Sequence, residues 1–80
     1  MKARVYVTLK PGVLDPAGKA VEASLHTLGF PEAHGVRLGK FVELDVDAPD
    51  AATAKQRVEA MAAKLLANMV VENFRVELLP

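Results

Sequence analysis

The 80-residue chain predicts an α+β fold, a two-layer sandwich in which two helices pack on one face of a small sheet. Three observations lead there. Apolar and polar residues alternate near both ends of the chain; apolar residues recur at helical spacing in two interior stretches; and Asp-Pro or Pro-Asp opens each of those stretches. The elements read β-α-β-α-β, or β-α-β-β-α-β if the middle strand breaks at Gly39. Residues 1–80 read as a single domain, with no linker or low-complexity run.

In the first strand Ala3, Val5, Val7 and Leu9 share one face, and Arg4, Tyr6, Thr8 and Lys10 the other, before Pro11-Gly12 ends it. The first helix opens at Asp15-Pro16, a side chain suited to capping followed by a residue that needs no backbone donor. Ala17, Val21, Leu25 and Leu28 make its apolar stripe, with Ala20 beside them and Gly29 at the C-cap; Lys19, Glu22 and Thr27 fall on the wet side.

The stretch HGVRLGKFVELDVDAPD decides the architecture. Val36, Leu38, Val42, Leu44 and Val46 occupy even positions, interrupted only by Lys40, while Arg37, Glu43, Asp45 and Asp47 occupy odd ones. A two-residue hairpin at Gly39-Lys40 would set apolar residues opposite charged ones, so one long strand, bent or bulged at Gly39, is expected. Residues 35–47 would extend roughly 43 Å, against roughly 26 Å for the first strand. Such an overhang invites another chain. The expectation is a long bent central strand shared across a dimer interface, with exchange of an element as one route to it.

Pro49-Asp50 opens the second helix, whose buried stripe is Ala54, Val58, Met61 and Leu65, flanked by Ala51, Ala62 and Leu66. Asn68 is expected to close it in the left-handed conformation. The last strand runs from about Val70 to Leu78, with Phe74, Val76 and Leu78 on one face and Arg75 and Glu77 on the other.

Composition narrows the function. Eighty residues bury a thin core, and with no cysteine for a disulfide and no Cys/His cluster for zinc, oligomerisation is the remaining means of burying apolar surface. A hydrophobic share of 51% suits that expectation. Ten basic side chains balance ten acidic ones, and the four aromatic residues are too few for a base-stacking platform, which argues against nucleic acid. No stretch is apolar enough to span a membrane, and Met1 leads into a strand without a signal peptide, so a cytoplasmic protein is expected.

The stretch GVLDPAGKA invites comparison with a phosphate-binding loop. Five residues rather than four separate Gly12 from Gly18, Ala20 stands where Ser or Thr would hold magnesium, and Asp15 would repel a phosphate. The stretch reads as a capped helix start. A catalytic histidine needs a nucleophile and an orienting carboxylate within reach, and Ser24, the only serine, lies inside a helix rather than at a sharp exposed turn, so His26 and His34 read as two partly exposed histidines. Asp45, Asp47 and Asp50 form the one carboxylate cluster; without further oxygen ligands and a glycine turn they read as a solvated strand end and a helix cap. Lys40 interrupts an apolar face, so it must reach outward, pair with a carboxylate or face a partner. No residue is assigned a catalytic, cofactor-binding or metal-binding role.

Three segments, LKPGVLDPAGKAVEASLHTLGF, VRLGKFVEL and KLLANMVVENF, together resemble PurS, the small subunit of bacterial and archaeal phosphoribosylformylglycinamidine (FGAM) synthase. The resemblance covers nearly the whole chain. Met69 and Phe74 depart from the proline and tyrosine common in that family at those positions. The resemblance implies a non-catalytic subunit of purine biosynthesis that bridges a glutaminase subunit and a large ATP-dependent synthetase subunit and assists ammonia transfer between them. It implies no cofactor bound by this chain, the complex itself using ATP, magnesium and glutamine, and a homo-oligomer, dimer or tetramer. Lys10, Asp15, Arg37, Lys40, Asn68 and Glu72, the residues of the matching segments expected outside the core, become candidate partner contacts. The alternative is a small regulatory module that binds a metabolite at a subunit interface.

Overall fold

A computed structural model describes residues 1–80. Strands β1 (Lys2–Leu9), β2 (Gly39–Asp45) and β3 (Glu72–Leu79) form one antiparallel sheet in the order β2-β1-β3. Helix α1 (Pro16–Thr27) links β1 to β2; helix α2 (Ala51–Met61) and a π-helical turn (Ala62–Leu66) link β2 to β3. The small α+β fold of three strands and two helices is as the sequence predicts, with no hairpin at Gly39-Lys40.

The alternation in β1 becomes the core. Ala3, Val5 and Val7 are fully buried under α2, whose Ala54 and Val58, with Ala62, let the helix axis approach the sheet closely. Val42, Leu44, Phe74, Val76 and Leu78 flank this cluster on the same face. Asp50 caps α2 by accepting a bond from the Thr53 N–H at 2.7 Å.

The end of α2 corrects two expectations. The Ala67 N–H bonds the Ala62 carbonyl at 2.8 Å, five residues back, and both alanines are buried. That wider turn rotates Leu65 out of the stripe, leaving it 83% exposed. Ala51, expected beside the stripe, is exposed at the first turn. Asn68 does not close the helix in the left-handed conformation, since no residue other than glycine has a positive φ. The chain leaves through an extended Ala67 (φ −127°, ψ 143°), and the Asn68 side chain accepts a bond from the Val70 N–H at 3.0 Å.

The middle segment is shorter as a strand than expected. Pairing with β1 begins at Gly39, where a Cβ would collide with the Val7 carbonyl oxygen. The preceding Val36–Leu38 joins no strand of this chain, because carboxylates of α1 take its amides: Glu22 accepts from the Val36 N–H at 3.1 Å and Asp15 from the Leu38 N–H at 3.1 Å. The overhang becomes a strap laid against the helix. Gly18 permits the approach, for a Cβ there would lie 2.7 Å from the Val36 carbonyl oxygen.

Helix α1 has the expected ends. Asp15 caps it through the Gly18 N–H at 2.8 Å, and Phe30 N–H to Leu25 carbonyl (2.9 Å) with Gly29 N–H to His26 carbonyl (3.1 Å) closes a Schellman motif around Gly29 (φ +101°). Its packing is not as expected. The helix lies off the sheet, so within one chain only α2 covers the inner face. Val21 is 37% and Leu28 71% exposed, Ala17 is exposed and Leu25 half-buried; Gly18 is the only buried residue of α1. The molecule measures 50 × 27 × 14 Å, with a radius of gyration of 15.8 Å, where a compact chain of this length would have about 12 Å. The amphipathic stripe is covered only in part inside its own chain.

Candidate functional site

All six candidate contact residues gather at one end of the sheet, where β1 exits, β2 and β3 enter, and α1 departs. Lys40 stands opposite Val7, and Glu72 opposite Leu9. The Lys40 Nζ donates to the Leu66 carbonyl at 3.0 Å and lies 3.6 Å from the Glu72 carboxylate. Glu72, whose side chain is only 15% exposed, also accepts a bond from the Asn68 N–H at 2.7 Å. Lys40, Asn68 and Glu72 thus form one network that satisfies the frayed end of the π-helical turn. The lysine that interrupts an apolar strand face does so to reach this carboxylate and carbonyl. Lys10, whose N–H bonds the Val71 carbonyl at 2.8 Å, extends the pairing of β1 past the last residue of the strand.

Asp15 and Arg37 belong to the second half of the site, the joint between α1 and the strap. Two backbone N–H groups, from Gly18 and then Leu38, hold the Asp15 carboxyl below its ordinary value, and Arg37 adds to the effect. The Val36 N–H lowers Glu22 in the same way, helped by Lys19 and His26. Between helix and strap runs an open groove of about 320 Å³ bordered by Val13, Asp15, Lys19, Glu22 and Arg37. Its two carboxylates are committed to the backbone amides of Gly18, Leu38 and Val36, so they serve as clamps of the joint. His26 and His34 are exposed and bond the carbonyls of Ala33 (2.5 Å) and Glu32 (2.8 Å), holding the turn between helix and strap. No group of three or more His, Cys, Asp or Glu side chains is arranged to hold a metal ion.

Sequence reasoning missed two features. Glu22, placed on the wet side of α1, clamps the strap; its spacing of seven from Asp15 puts both carboxylates on one helix face, which was the available signal. The outer face of the sheet carries an ordered ladder that single-strand patterns do not reveal. Arg4 stands between Glu43 at 3.0 Å and Glu77 at 3.5 Å. One row along, Tyr6 is flanked by the Phe41 ring, centroids 5.2 Å apart, and by the Arg75 guanidinium, 4.1 Å above the Tyr6 ring.

Comparison with known proteins gives these features a family. Residues 2–80 match the PurS model, described as phosphoribosylformylglycinamidine (FGAM) synthase. The chain is 52% identical over 75 residues to the FGAM synthase subunit PurS of Synechocystis, covering 94% of this chain and 75% of that one. It is 45% identical to the Bacillus subtilis subunit PurS, covering 95% and 89%. Among solved structures, B. subtilis PurS superposes with a TM-score of 0.84 at 45% identity, covering 95% of this chain and 94% of that one. A chain in the structure of PurLQS from Thermotoga maritima superposes with a TM-score of 0.90 at 32% identity, covering 98% and 95%. A match over nearly every residue, with the same three strands and two helices, leaves one conclusion: the chain belongs to the PurS family.

Proposed function

We propose that this chain is the small, non-catalytic subunit of an FGAM synthase complex in purine biosynthesis, bridging a glutaminase subunit and a large ATP-dependent synthetase subunit. The observation that carries the bridging role is the α1 arm. An amphipathic helix, with its strap clamped to it by two carboxylates, projects from its own sheet with its apolar stripe in the open. A chain built this way is completed by other chains. ATP, magnesium and glutamine then belong to the other subunits, and the contribution of this one is containment: ammonia released at one site reaches the next before water protonates and disperses it.

The same arm supports a homo-oligomer. Strand β2 is an edge strand with one free side, α1 has an unpaired stripe, and the strap between them is extended. Exchange of arms would lay the helix of one chain on the sheet of the next and bury both. On this reading Lys10, Asp15, Arg37, Lys40, Asn68 and Glu72 remain the proposed partner contacts, with the network of Lys40, Asn68 and Glu72 setting the direction of the chain beside them.

The test is glutamine-dependent synthase activity of the glutaminase and large subunits with and without this chain, with ammonium-dependent activity as control. Glutamine-driven turnover that needs the chain, beside ammonium-driven turnover that does not, is the expected result. Equal rates in both assays would overturn the bridging role.

A further inference from the structure

The outer face of the sheet, which no helix covers, carries a second interaction surface. Across β2-β1-β3 the side chains form rows: Glu43–Arg4–Glu77, then Phe41–Tyr6–Arg75, then Gly39–Thr8–Asn73. Both carboxylates of the charged row are engaged within it, because Arg4 pairs with both glutamates and the Tyr6 hydroxyl donates to Glu77 at 3.2 Å, although the row keeps one negative charge in excess. The cation of the next row is not so engaged. Arg75 lies over the Tyr6 ring but joins none of the three ion pairs of the chain, and no side-chain hydrogen bond of this face uses it.

Phe41, beside Tyr6, is 54% exposed. Below this row the small side chains leave a hollow of about 330 Å³ lined by Tyr6, Thr8, Asn73, Phe74 and Arg75. The parity of β1 continues to Lys10, so this end of the face holds two cations, Arg75 and Lys10, and no carboxylate.

We propose that this face docks an acidic segment of another subunit of the complex, one Asp or Glu side chain meeting Arg75 and an adjacent apolar side chain resting on Phe41 and Tyr6. A guanidinium stacked on an aromatic ring is held flat with its N–H edges outward, the geometry that receives a carboxylate through two parallel hydrogen bonds. Tyr and Arg anchors of this kind dominate interface energies. A second copy of this chain is the competing occupant. A two-fold contact centred on the Phe41–Tyr6–Arg75 row would bring Arg75 and Lys10 near their own equivalents, with both glutamates of the next row already accepting from Arg4 and Tyr6 and Asp45 two rows away at the far end of the face, so the free carboxylate of another subunit meets Arg75 better in that arrangement. This surface rests on the reading of the chain as a subunit of a larger assembly, but it is distinct from the arm.

The experiment measures binding of the whole chain to the purified glutaminase and large subunits for the wild type, Arg75→Glu, Arg75→Lys and Asn73→Glu, alongside the mass of each isolated protein by light scattering. Arg75 and Asn73 are both exposed, and melting curves confirm folding. The expected result is a loss of affinity of about tenfold or more for R75E and N73E, a smaller loss for R75K, and unchanged mass of the isolated chain. Wild-type affinity retained by R75E and N73E would overturn the proposal. So would a changed mass of isolated R75E, which would place a second copy on this face. Failure of the wild type itself to bind either subunit would overturn the subunit reading and this surface with it, whereas a wild type that binds beside variants that bind equally well would sink only the surface.

Discussion

The body of the molecule and its α1 arm are built on the same principle and end in opposite states. In the body, an amphipathic helix meets an alternating strand, and Ala54, Val58, Ala62 and Val5 are fully buried. In the arm, an equally regular stripe of Ala17, Val21, Leu25 and Leu28 is covered only in part by its own chain, and Leu28 remains 71% exposed. Hydrophobic stripes specify that burial will occur but not in which chain it occurs. The arm is held instead by polar contacts, the amides of Val36 and Leu38 clamped by Glu22 and Asp15. A body closed by apolar packing and an arm stiffened by carboxylates is the construction expected of a subunit completed by its neighbours.

The contrast can be broken most forcefully in the body. Gly39→Ala drives a Cβ into the Val7 carbonyl, and neither backbone can yield without parting β1 from β2. A loss of about 3 kcal/mol in urea unfolding is expected. Val58→Ala opens a cavity in the core and should cost about 2 kcal/mol, while Leu65→Ala, truncating a side chain turned outward by the π-helical turn, should change stability by less than about 0.5 kcal/mol. Equal costs for these two would show that the turn does not redirect the stripe.

In the arm the effect should move from folding to association. Leu28→Asp is expected to leave the circular dichroism of the sheet intact while shifting the mass of the isolated protein toward the monomer at micromolar concentrations. An unchanged mass would remove α1 from the homo-oligomer contact. The smallest effect is on the strap. Gly18→Ala crowds the Val36 carbonyl and should speed hydrogen exchange at Val36 and Leu38, with little change in β1.

Acid should separate the two regions as well. Asp15, Glu22 and Asp50 all have carboxyls held below their ordinary values by backbone N–H groups, so each stabilises the fold above its unfolded pKa. That stabilisation is lost as pH falls through the lowered folded-state value. Amide shifts followed by NMR into acid should therefore report the release of Val36 and Leu38 from α1, and Glu22→Gln should remove the Glu22 component. Titration of the strap amides together with those of β1 would show that arm and body open as one unit.

Much of this was legible in the sequence because the signals are local. Asp15-Pro16 and Gly29 mark the ends of α1 within their own turns, Asp50 marks the start of α2, and the alternation in β1 names its buried face outright. The strap was not legible, since its clamps join Asp15 to Leu38 and Glu22 to Val36 across 23 and 14 residues. Nor was the π-helical turn, where one wider turn exchanges Leu65 for Ala67 in the core. The Phe41–Tyr6–Arg75 ladder depends on the register of three strands at once.

The sequence by itself determined the element order, the helix caps, the inner face of the sheet and, through three segments in register, the family. These follow from interactions between residues a few positions apart or from patterns repeated along the chain. Only the tertiary structure decided that α1 leaves its own sheet, that the expected overhang of the middle strand becomes a strap, and that Lys40 is bound to Glu72. Those outcomes turn on which distant groups satisfy a backbone amide or cover an apolar stripe, and periodicity carries no information about distance in space.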